Sequence, residues 1–270
     1  MSPLLIPLDN IRFANWLGDI LIPKKIHYIW LGGNSLPPLA KKCLSSWRKF
    51  MPDYEIVRWD ESNLDFSFCE YACEAYKSKK WAFVSDYARF KILYEQGGIY
   101  LDTDVEVIRS LEPILERGPY MGFEVDCSEA TKGTVTSGLG LAVNPGLGLA
   151  ASPGLGLYRD ILDSYERDHF IKDDGSCDLT TVVERATDIL REKGLRDVPG
   201  IQEVAGVRIY PSEYFCPKDP INSRLILTEN SYSIHHYDGS WTTSKQRFHK
   251  RISYLIGPKA TTALKKLVGR

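Results

Sequence analysis

Two aspartates, Asp102 and Asp104, stand one residue apart in the sequence GGIYLDTDVEVI, which spans residues 97–108. The apolar residues around them predict a buried strand. Alternate residues of an extended chain face the same side, so the two carboxylates are expected to point to one place. Like charges held together repel each other, and a hard divalent cation relieves that repulsion. The pair therefore predicts a site for Mg²⁺ or Mn²⁺.

A cation at such a site leaves some coordination positions to water or phosphate oxygens, which suits a diphosphate ligand. There it would act as a Lewis acid and neutralise charge on a departing diphosphate. An Asp-x-Asp pair by itself also fits a solvated strand end, so the surrounding sequence has to decide between these interpretations.

The elements around the pair follow a strand–helix–strand order. KKIHYIWLGG predicts a strand over residues 26–31, PPLAKKCLSSWRKFMP a helix between prolines, and DYEIVRWD a second strand. A helix over residues 80–96 ends at Gly97-Gly98 and leads directly into the strand with the paired acids. This order predicts a parallel, Rossmann-like sheet, in which ligands bind beyond the carboxyl ends of the strands.

Further along the chain, DLTTVVERATDILREKGL predicts an amphipathic helix that ends at Gly194, and VAGVRIYPSEYFCP and SYSIHHYDGSW predict strands and loops. An eight-residue unit beginning GLGL repeats nearly three times from Gly138. Two interpretations of this repeat stay open. It is either a duplicated surface hairpin or a flexible lip over a pocket, where glycine lets a ligand approach closely.

The segment SDYARFKILYEQGGIYLDTDV, from Ser85 to Val105, resembles the Asp-x-Asp sugar-binding region of glycosyltransferase family 32. It is similar to the glucosyltransferase domains of the large clostridial toxins. IHYIWLGG resembles the amino-terminal nucleotide-binding strand of that family, and SIHHYDGSW resembles its carboxy-terminal His…Ser-Trp motif. The three motifs occur in the expected order, over roughly residues 24–245.

The resemblance implies an α/β fold of the GT-A glycosyltransferase type, a Rossmann-like mixed sheet with flanking helices. It implies one domain over residues 1–270, with a nucleotide-sugar-binding half (24–110), an acceptor side with the carboxy-terminal metal motif (111–248) and a basic tail (249–270). The reaction implied is metal-dependent transfer of a hexose from a nucleotide-sugar, with retention at the anomeric carbon.

The resemblance also assigns roles to residues of the donor site. Asp86 and Arg89 are three apart on a helix and share a face. Asp86 would bind a sugar hydroxyl, and Arg89 a phosphate oxygen or a hydroxyl. Trp30 would stack on the nucleobase and Tyr100 would lie near the donor, although both also suit ordinary packing. Asp102 would bind donor hydroxyls, the metal or both.

At the carboxy-terminal motif, the resemblance makes His236 the metal ligand that joins the paired aspartates. His235 is the rival, because adjacent strand residues point in opposite directions. Ser240 and Trp241 would hydrogen-bond the diphosphate. Glu124, in YMGFE, is a candidate acid on the acceptor side or beneath the sugar, with a structural role as the alternative.

The length, net charge and cysteine pattern of the chain limit the classes of function that are possible. The chain has 270 residues, 43% of them hydrophobic, and a formal net charge of −1, which suits one large domain and gives no pull toward nucleic acid. It shows no membrane-spanning run and no signal peptide, so we expect a cytoplasmic protein. The six cysteines lack the spacing of zinc ligands and are expected to be reduced packing residues. From His249 the basic tail predicts either a helix that closes the fold or peripheral contact with the inner face of the cell membrane.

Several partners stay open. UDP-hexoses are favoured as donors by the toxin resemblance, with GDP-mannose as the alternative. The acceptor implied is a glycan or lipid-linked glycan in surface-polysaccharide synthesis, such as capsule or O-antigen. A metal-dependent nucleotide-sugar hydrolase and a Ca²⁺-dependent carbohydrate-binding protein would share parts of the same site.

Overall fold

The computed structural model describes residues 21–126, 141–218 and 224–238. In chain order, the strands and α-helices of these ranges are β1 (Lys25–Ile29), α1 (Pro38–Phe50), β2 (Glu55–Trp59), α2 (Glu70–Lys77), α3 (Trp81–Gln96), β3 (Gly98–Tyr100), β4 (Val105–Val107), α4 (Glu112–Leu115), β5 (Tyr120–Val125), β6 (Ala142–Val143), β7 (Leu149–Ala151), α5 (Gly156–Glu166), α6 (Val182–Glu192), β8 (Gln202–Val204), β9 (Val207–Tyr210), α7 (Ser212–Phe215) and β10 (Ser233–His235). A single 3₁₀ turn, Pro145–Leu147, lies between β6 and β7.

Local sequence explains where the main helices start and stop. Helix α1 has a proline in its first turn, where a missing N–H costs nothing, and two basic residues in its last turn. Helix α6 begins with a capping box, in which the Thr181 and Glu184 side chains each bond the other's main-chain N–H. Helix α3 ends at Gly97, whose φ of +63° favours glycine. The predicted bounds of these three helices are confirmed to within a few residues.

The main sheet is mixed, with the strand order β2-β1-β3-β7-β5-β9-β8 and β6 paired with β5. Strands β2, β1 and β3 are parallel, as the strand–helix–strand order predicted. Strand β7 then runs antiparallel between β3 and β5, and β5 is parallel to β9. The α/β class and the mixed sheet with flanking helices are thus confirmed, and they agree with the GT-A architecture that the resemblance implied.

The sheet separates two hydrophobic cores. Alternate residues of β1 divide between them: Ile29 packs with helices α2, α3 and α5, whereas Ile26 and Tyr28 pack with α1 and the segment around α4. Such alternation is the period of a strand buried on both faces. Both faces of the central strands are therefore covered, and the edge where the strands end is left to bind a ligand.

The strand predicted through the paired acids is interrupted. Strand β3 ends at Tyr100, the chain turns so that the Val105 N–H donates to the Asp102 carbonyl, and β4 begins at Val105. Strand β4 leaves the main sheet and pairs antiparallel with β10. Extended-chain alternation is therefore the wrong reason for the two aspartates to share a side, because a turn brings them together.

The GLGL repeat is not a surface hairpin. From residue 141 onward its residues are largely buried, and Leu149–Ala151 forms the central strand β7. The alternating glycine is needed here because a Cβ on Gly148 (φ +122°) would press on Leu101 and the Tyr120 hydroxyl. Residues 138–140 lie outside the described ranges. The hairpin interpretation is wrong for the described part of the repeat, and the segment next to β7 bears on the site instead.

Five cysteines are free thiols in the structure, as expected, and Cys127 lies outside the described residues. Among the helices that the structure describes, none has both the length and the apolar character needed to cross a bilayer.

Candidate active site

Side chains from three strands meet at one edge of the main sheet. Strands β1, β3 and β5 run in the same direction, because β1 pairs parallel with β3 and both β3 and β5 pair antiparallel with β7. Trp30 follows the end of β1, Asp102 follows the end of β3, and Glu124 lies near the end of β5. The predicted location beyond the carboxyl ends of the strands is confirmed.

Asp102, Asp104 and His235 form a cluster of potential metal ligands at this edge. One ligand atom from each lies within 4.8 Å of the other two. The His235 Nε2 is 3.2 Å from the Asp104 Oδ1. Pairing of β10 with β4 places His235 opposite Val105, immediately after the aspartate turn. Two chain segments more than a hundred residues apart thus supply a carboxylate pair and an imidazole to one point.

His236, the predicted ligand, does not join this cluster. Its Nε2 lies 2.8 Å from the Glu106 Oε2, and that carboxylate also accepts from the Lys42 ammonium at 2.7 Å. The main-chain N–H of His236 donates to the Asp104 carbonyl, which fixes the register of the strand extension. Because adjacent strand residues face opposite sides, that register turns His235 inward and His236 outward. Among the described residues, the structure therefore brings His235, the rival, to the two aspartates, and not His236, which the resemblance favoured.

Arg89 joins the helix α3 face to the acid pair. Its guanidinium is 3% exposed, donates to the Asp86 Oδ1 at 2.7 Å and lies 3.5 Å from the Asp102 Oδ1. The Ser85 carbonyl accepts from the Arg89 Nε at 3.1 Å. The Nη1 atom has no hydrogen-bond partner among the described residues. The expected grouping of Asp86, Arg89 and the Asp-x-Asp pair is thus present, with one buried donor left for a ligand.

The carboxyl groups of the site differ in their proton affinities. Burial raises the pKa of Asp86 to about 7, although Arg89 opposes this. Burial also raises the pKa of Asp102, and the charge of Asp104 adds to the rise against the lowering effect of Arg89. For Asp104, hydrogen bonds from His235 and from the Asp238 N–H outweigh burial and lower the pKa. Asp104 is therefore the carboxylate that stays ionised most readily.

This donor set fits a divalent cation. Two carboxylates held close together in a largely buried place raise each other's energy, and a cation relieves that repulsion. The His235 Nδ1 is buried and has no partner among the described residues. An imidazole nitrogen beside two carboxylates favours Mn²⁺ over Mg²⁺, because Mg²⁺ strongly prefers oxygen ligands.

Tyr100 lies beneath the acid pair. It is 1% exposed, its hydroxyl donates to the Asp102 Oδ1 at 2.8 Å, and the Arg89 guanidinium stacks over its ring at 4.9 Å. The ring therefore holds both charged groups in place. Its predicted closeness to the donor stays a prediction, because the contacts that the structure shows are to protein groups.

Trp30 is 7% exposed, packs in the core on the α1 side, and donates through its indole N–H to the Asn34 carbonyl at 2.7 Å. It lies at the expected sheet edge, and stacking on a nucleobase stays a prediction for it. Ser240, Trp241 and the basic tail from residue 249 lie outside the described residues.

The turn at residues 144–146 is a part of the site that the sequence did not reveal. The Asn144 Oδ1 accepts from the Gly146 N–H at 2.7 Å, and its Nδ2 donates to the Glu124 Oε2 at 3.2 Å. Gly146 packs directly against the Asp102 carboxylate and leaves no room for a Cβ. The Asn-Pro-Gly sequence predicted a turn, but nothing in the sequence indicated that this turn would pack against Asp102.

A further wall comes from residues 216–218 and 237. The Tyr237 hydroxyl is 3.0 Å from the Cys216 Sγ, and its ring meets the His235 ring edge-on at 4.1 Å. Tyr237 has a φ of +55°, which is unusual for a residue with a side chain. Burial raises its pKa, and the neighbouring Cys216 and Glu124 add to the rise. Glu124 therefore borders the site, in contact with Asn144 on one side and near Tyr237 on the other.

Part of the amino-acid sequence matches a known protein family. Residues 37–120 match the family described as the glycosyltransferase sugar-binding region containing DXD motif. This range runs from α1 to the start of β5 and contains Asp86, Arg89 and both aspartates of the pair. The prediction of a glycosyltransferase-type Asp-x-Asp region is thus confirmed, while membership of family 32 stays a prediction.

Two yeast proteins match about a third of the chain. Inositol phosphoceramide mannosyltransferase 3 of Schizosaccharomyces pombe is 40% identical over 98 residues, which cover 35% of this chain and 27% of that protein. Inositol phosphoceramide mannosyltransferase 1 of the same yeast is 28% identical over 111 residues, 37% of this chain and 33% of that protein. The chain thus spans about a quarter to a third of the length of these relatives. The solved structure of PaToxG glycosyltransferase aligns with a TM-score of 0.44 and 18% identity over 69% of this chain and 78% of that one.

Proposed function

We propose that the protein is a metal-dependent glycosyltransferase that moves a hexose from a nucleotide-sugar to a glycan or lipid-linked glycan acceptor. The observation that carries this proposal is the cluster of Asp102, Asp104 and His235 ligand atoms within 4.8 Å of one another. It lies beyond the strand ends, and its two aspartates lie in a segment that matches a glycosyltransferase sugar-binding region. Metal, diphosphate and sugar chemistry therefore coincide at one place.

The residues of the site have complementary tasks in this reaction. A divalent cation bound by Asp102, Asp104 and His235 would neutralise charge on the departing diphosphate as a Lewis acid. The Arg89 Nη1, which has no hydrogen-bond partner among the described residues, would donate to a phosphate oxygen or a hydroxyl of the sugar donor. Asp86, held by Arg89, offers its remaining oxygen to a sugar hydroxyl. These groups position the anomeric carbon for the acceptor hydroxyl.

We infer retention of the anomeric configuration, by attack of the acceptor from the face that the diphosphate leaves. The resemblance to retaining enzymes supports this inference. Glu124 borders the site beside Asn144, and it remains the carboxylate to test if a double displacement occurs instead. A glycosyl–enzyme adduct on Glu124, detected by mass spectrometry of the trapped enzyme, would replace same-face attack with double displacement.

Two classes of nucleotide-sugar are candidates for the donor. Two of the relatives are named mannosyltransferases, which supports GDP-mannose. The resemblance to the clostridial toxin domains supports UDP-hexoses. We propose a cytoplasmic enzyme working at the inner face of the cell membrane in surface-polysaccharide assembly, because lipid-linked acceptors are common there and the tail from residue 249 is basic and partly apolar.

The deciding experiment combines binding and product analysis. Purified protein with Mn²⁺ is mixed with GDP-mannose or a UDP-hexose and with glycan acceptors, and the products are separated by chromatography. A glycoside that forms only with acceptor supports transfer, whereas free sugar alone supports a nucleotide-sugar hydrolase. Asp104→Asn should abolish either reaction but keep the fold. If the folded, metal-loaded protein binds no nucleotide-sugar, the proposal fails and carbohydrate binding becomes the function to test.

A further inference from the structure

Lys218 is a cation beside the candidate metal site that neither the sequence motifs nor the resemblance assigned. It follows α7 and forms an isolated antiparallel bridge with Leu225. Its ammonium donates to the main-chain carbonyl of His236 at 3.1 Å and lies over the Tyr237 ring at 5.7 Å. The same Tyr237 ring meets the His235 ring edge-on, with their centroids 4.1 Å apart. Lys218 and His235, a candidate metal ligand, therefore both contact the ring of Tyr237.

The ammonium of Lys218 lacks a counter-ion in the described part of the chain. It is half-buried, and no carboxylate of those residues forms an ion pair with it. Burial lowers the pKa of Lys218, and the neighbouring Cys216 and Asp104 oppose this effect. An ammonium has three N–H donors, and the His236 carbonyl takes one of them. A half-buried cation with unused donors beside a metal site is suited to bind an anion that arrives with the ligand.

The anion is best identified by the arrangement of charges. Arg89 flanks the acid pair on the Asp102 side, and Lys218 flanks it on the His235 side. Sugar hydroxyls and a nucleobase are neutral and need no second cation. A diphosphate carries several negative charges and gains more as it leaves, so it can use a cation on each side of the metal site.

We propose that Lys218 binds the diphosphate of the donor, on the His235 side of the metal site. This inference rests on the proposed function and adds a residue to it that lies outside the matched region of residues 37–120. Its contribution is electrostatic, because a charge-assisted hydrogen bond to phosphate is stronger than one between neutral groups.

The test measures binding, not turnover. Isothermal titration calorimetry on Mn²⁺-saturated protein compares GDP and UDP, GMP and UMP, and inorganic diphosphate, for the wild type, Lys218→Met and Lys218→Arg. Methionine keeps most of the side-chain length without the charge, and arginine keeps the charge. We expect Lys218→Met to weaken nucleoside diphosphates and inorganic diphosphate by about 10- to 100-fold. Monophosphates should change by less than about threefold, and Lys218→Arg should stay close to the wild type. Circular dichroism checks that each variant is folded.

Each outcome is informative. If wild type binds nucleoside diphosphates and Lys218→Met binds them equally well, the Lys218 proposal is wrong and the glycosyltransferase proposal stands. If both variants of Lys218 lose mono- and diphosphates alike, the residue supports the structure and does not read the diphosphate. If wild type binds inorganic diphosphate through Lys218 but no nucleotide, the diphosphate site stands and the nucleotide-sugar function fails. If folded, metal-loaded wild type binds none of these ligands, both proposals fail.

Discussion

Replacement of Gly146 by alanine tests whether the turn at residues 144–146 shapes the metal site. A Cβ on Gly146 would overlap the Asp102 Oδ2, lie 3.0 Å from the Asn144 Oδ1 and lie 3.5 Å from the Arg89 Nη1. The carboxylate would have to move by about 1 Å to reach ordinary van der Waals distance. Gly146 does not have a positive φ, so the expected effect comes from this overlap and not from backbone strain.

The size of the effect follows from what Asp102 contacts. Its Oδ1 accepts from Tyr100 and lies near Arg89, so a shift of the carboxylate disturbs both contacts and the metal-binding geometry. Overpacking of this kind costs about 1–3 kcal/mol of folding stability. Disturbing groups that orient a metal ligand weakens metal binding by about 10- to 100-fold. We expect Gly146→Ala to show both effects.

The assay is titration of Mn²⁺ followed by electron paramagnetic resonance of the free ion, together with urea unfolding of the metal-free protein. Gly156→Ala is the matched control, because Gly156 belongs to the same repeat, has no positive φ and has no atom within 4 Å of its would-be Cβ. That control should bind Mn²⁺ like the wild type. If Gly146→Ala binds Mn²⁺ within twofold of the wild type, the turn does not position Asp102 and the argument from close packing is refuted.

Three further predictions follow from other contacts. His235→Ala should weaken Mn²⁺ binding by at least tenfold, whereas His236→Ala should change it by less than about threefold, since His236 faces Glu106. If His236→Ala causes the larger loss in the same titration, His236 is the metal ligand, as the resemblance implied. Burial lowers the pKa of His27 from 6.5 to about 4, so between these values the unfolded chain binds a proton that the folded chain does not, and the free energy of unfolding falls by about 3 kcal/mol as the pH drops to 4. Urea unfolding at pH 7, 6 and 5 should show this decrease. If the decrease persists in His27→Gln, other groups cause it. Thr181→Ala removes the cap of α6 and should cost about 1 kcal/mol in urea unfolding without changing Mn²⁺ affinity, and an altered affinity would mean that α6 supports the site.

Local sequence was sufficient for several elements of the fold. Helix α1 begins at Pro38 and has basic residues in its last turn, and α6 begins with the Thr181–Glu184 capping box. Gly97 ends α3, since only glycine adopts its backbone conformation without strain, and it places the acids directly after β3. Each of these signals acts between residues that are close along the chain, so the letters carry them without knowledge of the fold.

The sequence, through its resemblance to the glycosyltransferase Asp-x-Asp region, predicted that Asp86, Arg89, Asp102 and Asp104 belong to one site, and the structure places Arg89 beside both Asp86 and Asp102. Only the tertiary structure showed that His235, and not His236, lies beside Asp104, since this depends on the register of β10 against β4, which a shift of one residue would invert. Likewise, only the fold showed that the repeat enters the main sheet as β7 and brings Gly146 against Asp102, and that Lys218 lies beside His236. These contacts join segments that are far apart in the chain, and long-range packing, not local conformational preference, sets their geometry.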